Sequence, residues 1–124
     1  MLVPCSSCYM NLRRADDVMA HDGRAGELAN RALAEEGLSY AGGIRVRHLL
    51  DVLAKDIGAG PVAEKVTQSL SGLSVVPYYG CQALRPFADF DDPGRPHSME
   101  PLIGATGANV FDWSMGAKCC GAGG

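Results

Sequence analysis

Five cysteines fall in two widely separated clumps. Cys5 and Cys8 form a CxxC near the start, and Cys81 precedes the adjacent pair Cys119 and Cys120 near the end. Structural disulfides explain this set poorly, because neighbouring cysteines pair only with strain and an odd number leaves one thiol over. Thiolates are soft anionic donors, and binding several of them to iron or zinc relieves their mutual repulsion. The pattern therefore favours metal or redox chemistry, with the chain folding to gather its sulfurs. Taken alone, the CxxC is compatible with thioredoxin-like, zinc and iron–sulfur chemistry, but no second zinc pair follows at the usual spacing. Two adjacent sulfurs do not easily reach one tetrahedral ion, whereas a cluster offers separate iron atoms, so the Cys119–Cys120 pair suits a cluster better than zinc. Cys81 without these neighbours would read as an inert core thiol.

At 124 residues the chain has the length of one ordinary domain with one core. A 47% apolar and 20% charged composition is that of a folding chain. The net charge of −3, with no long run of either sign, gives no footprint for nucleic acid or an anionic membrane. The start, Met1-Leu2-Val3-Pro4-Cys5, has neither a basic leader nor a long apolar stretch, and nowhere do about eighteen apolar residues run together. No transmembrane segment and a cytoplasmic location are expected.

Leu2-Val3-Pro4 reads as the end of a buried strand that enters the CxxC, followed by a helix through Tyr9, Leu12, Ala15 and Met19. A helix start suits a CxxC, since free amides and the helix dipole stabilise thiolates. Residues 24–36 predict a short helix with Leu28, Ala32 and Leu33 on one face and Gly37 as its stop. Val46, Leu49, Leu50, Leu53 and Ile57 lie at helical spacing and predict the clearest helix, whose stripe needs a partner surface. Pro61 reads as the first position of another helix, through Val66 to Leu70. Residues 73–79 and 109–113 predict strands, and a helix is expected from about Ser98 to Gly104 or Gly107. The proline-rich, acidic residues 85–99 predict a surface loop outside the core. The alternation favours an α/β fold, a small parallel sheet with flanking helices and the cysteines gathered at the sheet edge.

The motifs themselves resemble a known family. Tyr78-Tyr79-Gly80-Cys81, Arg85-Pro86 and Cys119-Cys120-Gly121-Ala122-Gly123-Gly124 resemble the cysteine-rich CCG domain of the heterodisulfide reductase B subunit. Val3-Pro4-Cys5-Ser6-Ser7-Cys8-Tyr9-Met10-Asn11 is similar to the CxxC that closes a preceding copy of that domain. Each copy in the family carries a cysteine, an adjacent pair a few dozen residues later, and a final CxxC; here 37 residues separate Cys81 from Cys119. The order in this chain starts with a CxxC and stops after a CC, which implies a fragment spanning the junction of two copies, with Met1 an internal or misplaced start. Residues 1–20 would then end the first copy, 21–71 form a helical connection, and 72–124 begin the second. The resemblance implies a non-cubane 4Fe-4S cluster in each copy, and reduction of a disulfide by delivery of electrons to its two halves. Cys5 and Cys8 would be ligands of one cluster and Cys81, Cys119 and Cys120 of the other, so that neither set is complete here. It also implies an iron–sulfur electron-transfer subunit and a flavin-containing subunit as partners. The implied substrate is a small-molecule disulfide, the heterodisulfide of coenzyme M and coenzyme B or a related one. Two rivals remain: a CCG subunit that relays electrons in another respiratory oxidoreductase, and a structural zinc domain.

Other features carry blander expectations. His21, His48 and His97 are scattered and read as surface or satisfied side chains. Tyr78, Tyr79 and Trp113 read as core or as walls of the site, although an aromatic beside a cluster shields it from water and tunes it. Gly80 and Gly121 allow close backbone approach. The glycine runs lack the flanking residues of phosphate or dinucleotide loops, and Asp89, Asp91 and Asp92 read as a solvated turn.

Overall fold

The computed structural model describes residues 1–121, so that Ala122, Gly123 and Gly124 of the CCG motif lie outside the described residues. Strand β1 (Leu2–Val3) pairs in parallel with β2 (Arg47–His48), and β3 (Ser74–Val75) pairs in parallel with β4 (Asn109–Val110). The α/β class and the parallel arrangement hold, but the expected sheet is divided into two two-stranded pieces. Helices α1 (Ser6–His21) and α2 (Gly23–Ala34) connect β1 to β2. Helix α3 (Leu49–Val52) continues into a π-helical turn, Leu53–Ile57, and is followed by α4 (Ala59–Glu64) and, after β3, α5 (Glu100–Ala105).

Local chemistry sets most boundaries. Cys5 is the N-cap of α1, in extended conformation, and Asp22 ends α1 while its carboxylate accepts the Arg24 and Ala25 amides at 3.0 and 3.2 Å to start α2. Helix α2 stops as its sequence demands: Gly37 takes φ +69°, its amide reaches Ala34 O at 3.1 Å, and the Leu38 amide reaches Leu33 O at 3.0 Å. Its inward face is a different one from that expected. Ala25, Gly26, Ala29, Asn30 and Leu33 are half-buried, while Leu28 and Ala32 face solvent. Small residues let α2 lie close to α1, and Asn30 pins the following loop through both polar groups of the Tyr40 backbone, at 2.7 and 2.9 Å.

Three periodicity-based expectations need correction. The helix read from Val46 begins only at Leu49, because the Arg47 amide pairs with Met1 O at 2.9 Å and draws residues 47–48 into the first sheet. The helix read from Pro61 to Leu70 starts earlier and ends at Glu64. Leu70 instead donates its amide to Thr106 O at 2.9 Å, a tertiary bond that competes with the next helical turn. The strands read over 73–79 and 109–113 keep only two residues each, since Pro77 has no amide and the chain beyond it turns to other partners.

One core cluster unites the pieces: Val3, Tyr9, Leu50, Tyr79, Ala83, Leu84, Phe90 and Ala117, with Val46, Met99 and Leu102 packed against it. Phe90 corrects the expectation that residues 85–99 stay outside the core. Its ring stacks on His48 at 5.7 Å and meets the Tyr9 ring edge-on at 6.3 Å. Burial of the Phe90 ring draws that loop inward, because an aromatic ring carries a large apolar area.

Candidate metal centre

The core lies directly beneath the cysteines. Val3, Tyr9, Tyr79, Ala83, Leu84 and Ala117 each stand within three residues of a cysteine, so the buried side chains anchor the segments that present the sulfurs. Cys5, Cys8, Cys119 and Cys120 are exposed, Cys81 is half-buried, and all five are free thiols.

The first set is built by one helix start. The Cys5 sulfur takes the place of an N-capping oxygen and accepts the Cys8 amide at 3.4 Å. That amide, and then the Cys8 thiol, hold Cys5 below the ordinary thiol range; Cys8 is pushed up by donating to Cys5 and by its charge. Ser6 next to Cys5 contacts His48 (Oγ to Nε2 3.3 Å), and Tyr9 next to Cys8 is almost fully buried.

The second set is assembled across the chain. After β3 the segment Pro77–Cys81 runs beside residues 113–119. The Tyr79 amide donates to Gly116 O at 2.8 Å, the Trp113 Nε1 to Pro77 O at 2.7 Å, and the Tyr78 hydroxyl to Lys118 O at 2.6 Å. Arg85 adds a bond to Ala117 O at 3.3 Å and another to Pro93 O. A turn closed by the Leu84 and Arg85 amides on Cys81 O, at 3.1 and 2.8 Å, aims Cys81 at the same place. Gly116 permits a close approach here, since an added Cβ would lie 3.2 Å from Pro77 O and 3.3 Å from Trp113 Nε1 and its neighbours would have to give by a few tenths of an ångström.

The sulfurs of this set interact. Cys119 accepts the Gly121 amide at 3.4 Å, which, with the Cys81 thiol, holds it below the ordinary range, whereas Cys81 is raised by its bond to Cys119 and by burial. Burial, and then the charges of Cys120, Cys119 and Cys81, raise the Tyr78 phenol, whose hydroxyl is bonded to the carbonyl just before Cys119. In each set a backbone amide thus favours the ionised form of one sulfur, and a neighbouring thiol is pushed the other way. N–H···S bonds of this kind are a lever by which proteins tune thiolate-bound metals.

The structure brings the segment of Cys81 beside that of Cys119 and Cys120, and separately Cys5 beside Cys8; no hydrogen bond links the two sets among the described residues. Among the described residues, no three His, Cys, Asp or Glu side chains are arranged to hold a single metal ion. The donors do fit an iron–sulfur cluster: all are sulfur, they face outward from a common core, and in each set an amide stabilises one thiolate.

A brace that the sequence concealed ties the two halves. Asp89, eight residues after Cys81, accepts the Tyr9 hydroxyl at 2.6 Å and Arg13 Nε at 2.7 Å, while the Arg13 guanidinium lies 4.9 Å over the Phe87 ring. Arg13 in turn holds Asp89 below the ordinary carboxylate range. Asp91 and Asp92 conform to the solvated-turn reading, accepting amides of His97, Ser98, Gly94 and Arg95. Of the histidines, His21 and His97 are exposed. His48 is buried and satisfied, its Nδ1 accepting the Leu50 amide at 3.2 Å and its Nε2 therefore bearing the proton toward Ser6. Tyr79 is core, whereas Tyr78 and Trp113 are 40% and 42% exposed and bridge the two segments that lead to the cysteines.

Comparison with known proteins agrees with this architecture. Residues 75–124 match the cysteine-rich CCG domain, which makes the chain a cysteine-rich CCG-domain protein. Over its whole length it is 32% identical to the B subunit of the ferredoxin:CoB-CoM heterodisulfide reductase of Methanosarcina mazei, and over 99% of its length 31% identical to a protein of Archaeoglobus profundus that is like the heterodisulfide reductase B subunit. Over its whole length the chain thus resembles proteins named as heterodisulfide reductase B subunits or as similar to them. A third relative, 37% identical over 98% of the chain, is the 8-methylmenaquinol:fumarate reductase membrane anchor subunit of Wolinella succinogenes. The chain spans 42% of the length of each of these relatives. No helix among the described residues is long and apolar enough to cross a membrane.

Proposed function

We propose that this chain supplies parts of two iron–sulfur sites in a protein that reduces a disulfide with electrons received from partner subunits. The observation that carries this reading is the pairing of the segment that leads into Cys81 with the one that leads into Cys119 and Cys120, through the Tyr79 amide on Gly116 O, Trp113 Nε1 on Pro77 O and the Tyr78 hydroxyl on Lys118 O, above the same core that supports Cys5 and Cys8. In this reading residues 1–20 end one CCG copy, 21–71 connect, and 72–124 begin the next. Cys5 and Cys8 would hold one cluster, and Cys81, Cys119 and Cys120 the other, with the remaining ligands contributed by the rest of the protein. Non-cubane 4Fe-4S clusters are the type proposed, and when bound they would supply one-electron transfer. The chain's own residues position sulfur: α1 caps Cys5, the paired segments 77–81 and 113–119 aim the trio, and the amides of Cys8 and Gly121 favour thiolate.

Reduction of a disulfide takes two electrons and two protons and yields two thiols. The partners would be an iron–sulfur electron-transfer subunit and a flavin-containing subunit, the substrate the CoB-CoM heterodisulfide or a related small-molecule disulfide, and the location the cytoplasm. The name of the Methanosarcina relative supports that substrate class. The name of the Wolinella relative supports a second reading, an electron-relay subunit of a respiratory reductase that meets no disulfide. The intact complex, purified without oxygen, separates them: oxidation of a reduced viologen that depends on added disulfide supports the first, and its absence in a complex that still passes electrons to another acceptor supports the second. Stoichiometric zinc without colour would replace both by the structural zinc domain.

A further inference from the structure

We propose that Tyr78 is a positioning residue, clasping the peptide that leads into Cys119 and Cys120 and so fixing the geometry of the sulfur trio. The inference rests on the reading of Cys81, Cys119 and Cys120 as ligands of one site.

Tyr78 lies between two buried residues, Pro77 and Tyr79, yet its own ring is turned outward. Its hydroxyl donates at 2.6 Å to the carbonyl of Lys118, the carbonyl of the very peptide bond whose nitrogen belongs to Cys119. A single hydrogen bond therefore runs from a residue three before Cys81 to the residue just before the adjacent pair. Trp113 makes the reciprocal reach, its ring 5.9 Å from that of Tyr78 and its Nε1 on Pro77 O at 2.7 Å. The two aromatics cross from opposite segments, each tied at its polar tip. Neither is buried deeply enough for apolar burial alone to dictate its place, being 40% and 42% exposed. Aromatic rings with a free edge and a bonded tip suit a wall that limits water at a site while holding its backbone still. Without the hydroxyl, the Lys118 carbonyl keeps no other hydrogen-bond partner from residues 77–81, and the Cys119–Cys120 segment turns more freely about it.

The test uses Tyr78→Phe in the intact protein, which keeps the ring and removes only the hydroxyl bond. In anaerobic preparations the iron content should match wild type, while one of the two clusters shows a changed EPR spectrum and midpoint potential and the other is unaltered. Trp113→Phe should give a smaller change in the same cluster. A second measurement does not depend on metal: in intact protein stripped of metal, peptide mass spectrometry after brief alkylation reads each thiol. Tyr78→Phe should raise labelling at Cys119 and Cys120 about fivefold, the factor that one ordinary hydrogen bond carries in a local opening equilibrium, and leave Cys5 and Cys8 unchanged. Spectra and labelling identical to wild type would overturn the proposal, as would loosening of all five thiols together, which would mark a general folding role. Wild-type protein that binds no iron would sink the cluster reading by itself, and the labelling comparison would still decide whether Tyr78 positions the trio.

Discussion

The two cysteine sets are built in opposite ways. Cys5 and Cys8 are neighbours because one helix begins between them: the cap, the amide and both sulfurs belong to four consecutive residues. Cys81, Cys119 and Cys120 become neighbours only through tertiary bonds between residues 77–85 and 113–118. The local geometry of the first set therefore follows from the start of α1, whereas that of the second depends on the packing of two distant segments. The Asp89 brace makes the two dependent on each other, since it joins the helix that carries the CxxC to the loop that follows Cys81.

The sharpest way to break this contrast is to remove one sulfur from each set in the intact protein. Cys119→Ser should abolish the cluster of the trio and about half of the iron, and Cys5→Ser should weaken the other cluster alone, since thiolate is the donor such clusters require. Iron analysis with EPR checks this, and a loss of all iron in both variants would show that the sets form one site. Next in size, Leu84→Ala truncates a side chain that is 1% exposed, three residues from Cys81, and should cost about 3 kcal/mol in a denaturant titration. The trio should lose its metal at lower denaturant than the CxxC. Gly107→Ala should cost about 1–2 kcal/mol, because Gly107 has φ +89° and an added Cβ would collide with Ser69 Oγ where β4 is entered.

The smallest effects are electrostatic. Asp89→Asn weakens the acceptor for Arg13 and Tyr9 and should cost about 1 kcal/mol, a low figure because the carboxylate is 37% exposed and screened by solvent. Its folded value is depressed, so its contribution is present above about pH 4 and is lost as pH falls through the folded value, a loss that the variant does not show. His48 is also held down, by burial, so its contribution is present above about pH 6.5 and declines as pH falls below that. The His48→Gln variant should be less stable throughout but flat across that upper window, as read by thermal melts at a series of pH values.

What the sequence disclosed follows the same division. The helix behind the CxxC, the stop at Gly37 and the α/β alternation were legible because caps and glycines are local signals. Val46 to Ile57 misled, because apolar spacing cannot report that Met1 O waits to pair with Arg47. Phe90 and Asp89 were hidden in a loop whose prolines and acids outweighed them in composition, and only the partners across the fold, His48, Tyr9 and Arg13, give them meaning. Tyr78 and Tyr79, adjacent in sequence, take opposite roles because the segment after Val76 alternates its faces, which no count of aromatics distinguishes.

Iron and acid-labile sulfide in the intact protein, purified under strict exclusion of oxygen, test the central claim most directly. The account predicts both in comparable amounts, a brown absorbance, and loss of about half of each on substitution of Cys119. Colourless protein with neither iron nor sulfide, or carrying zinc in their place, would contradict it.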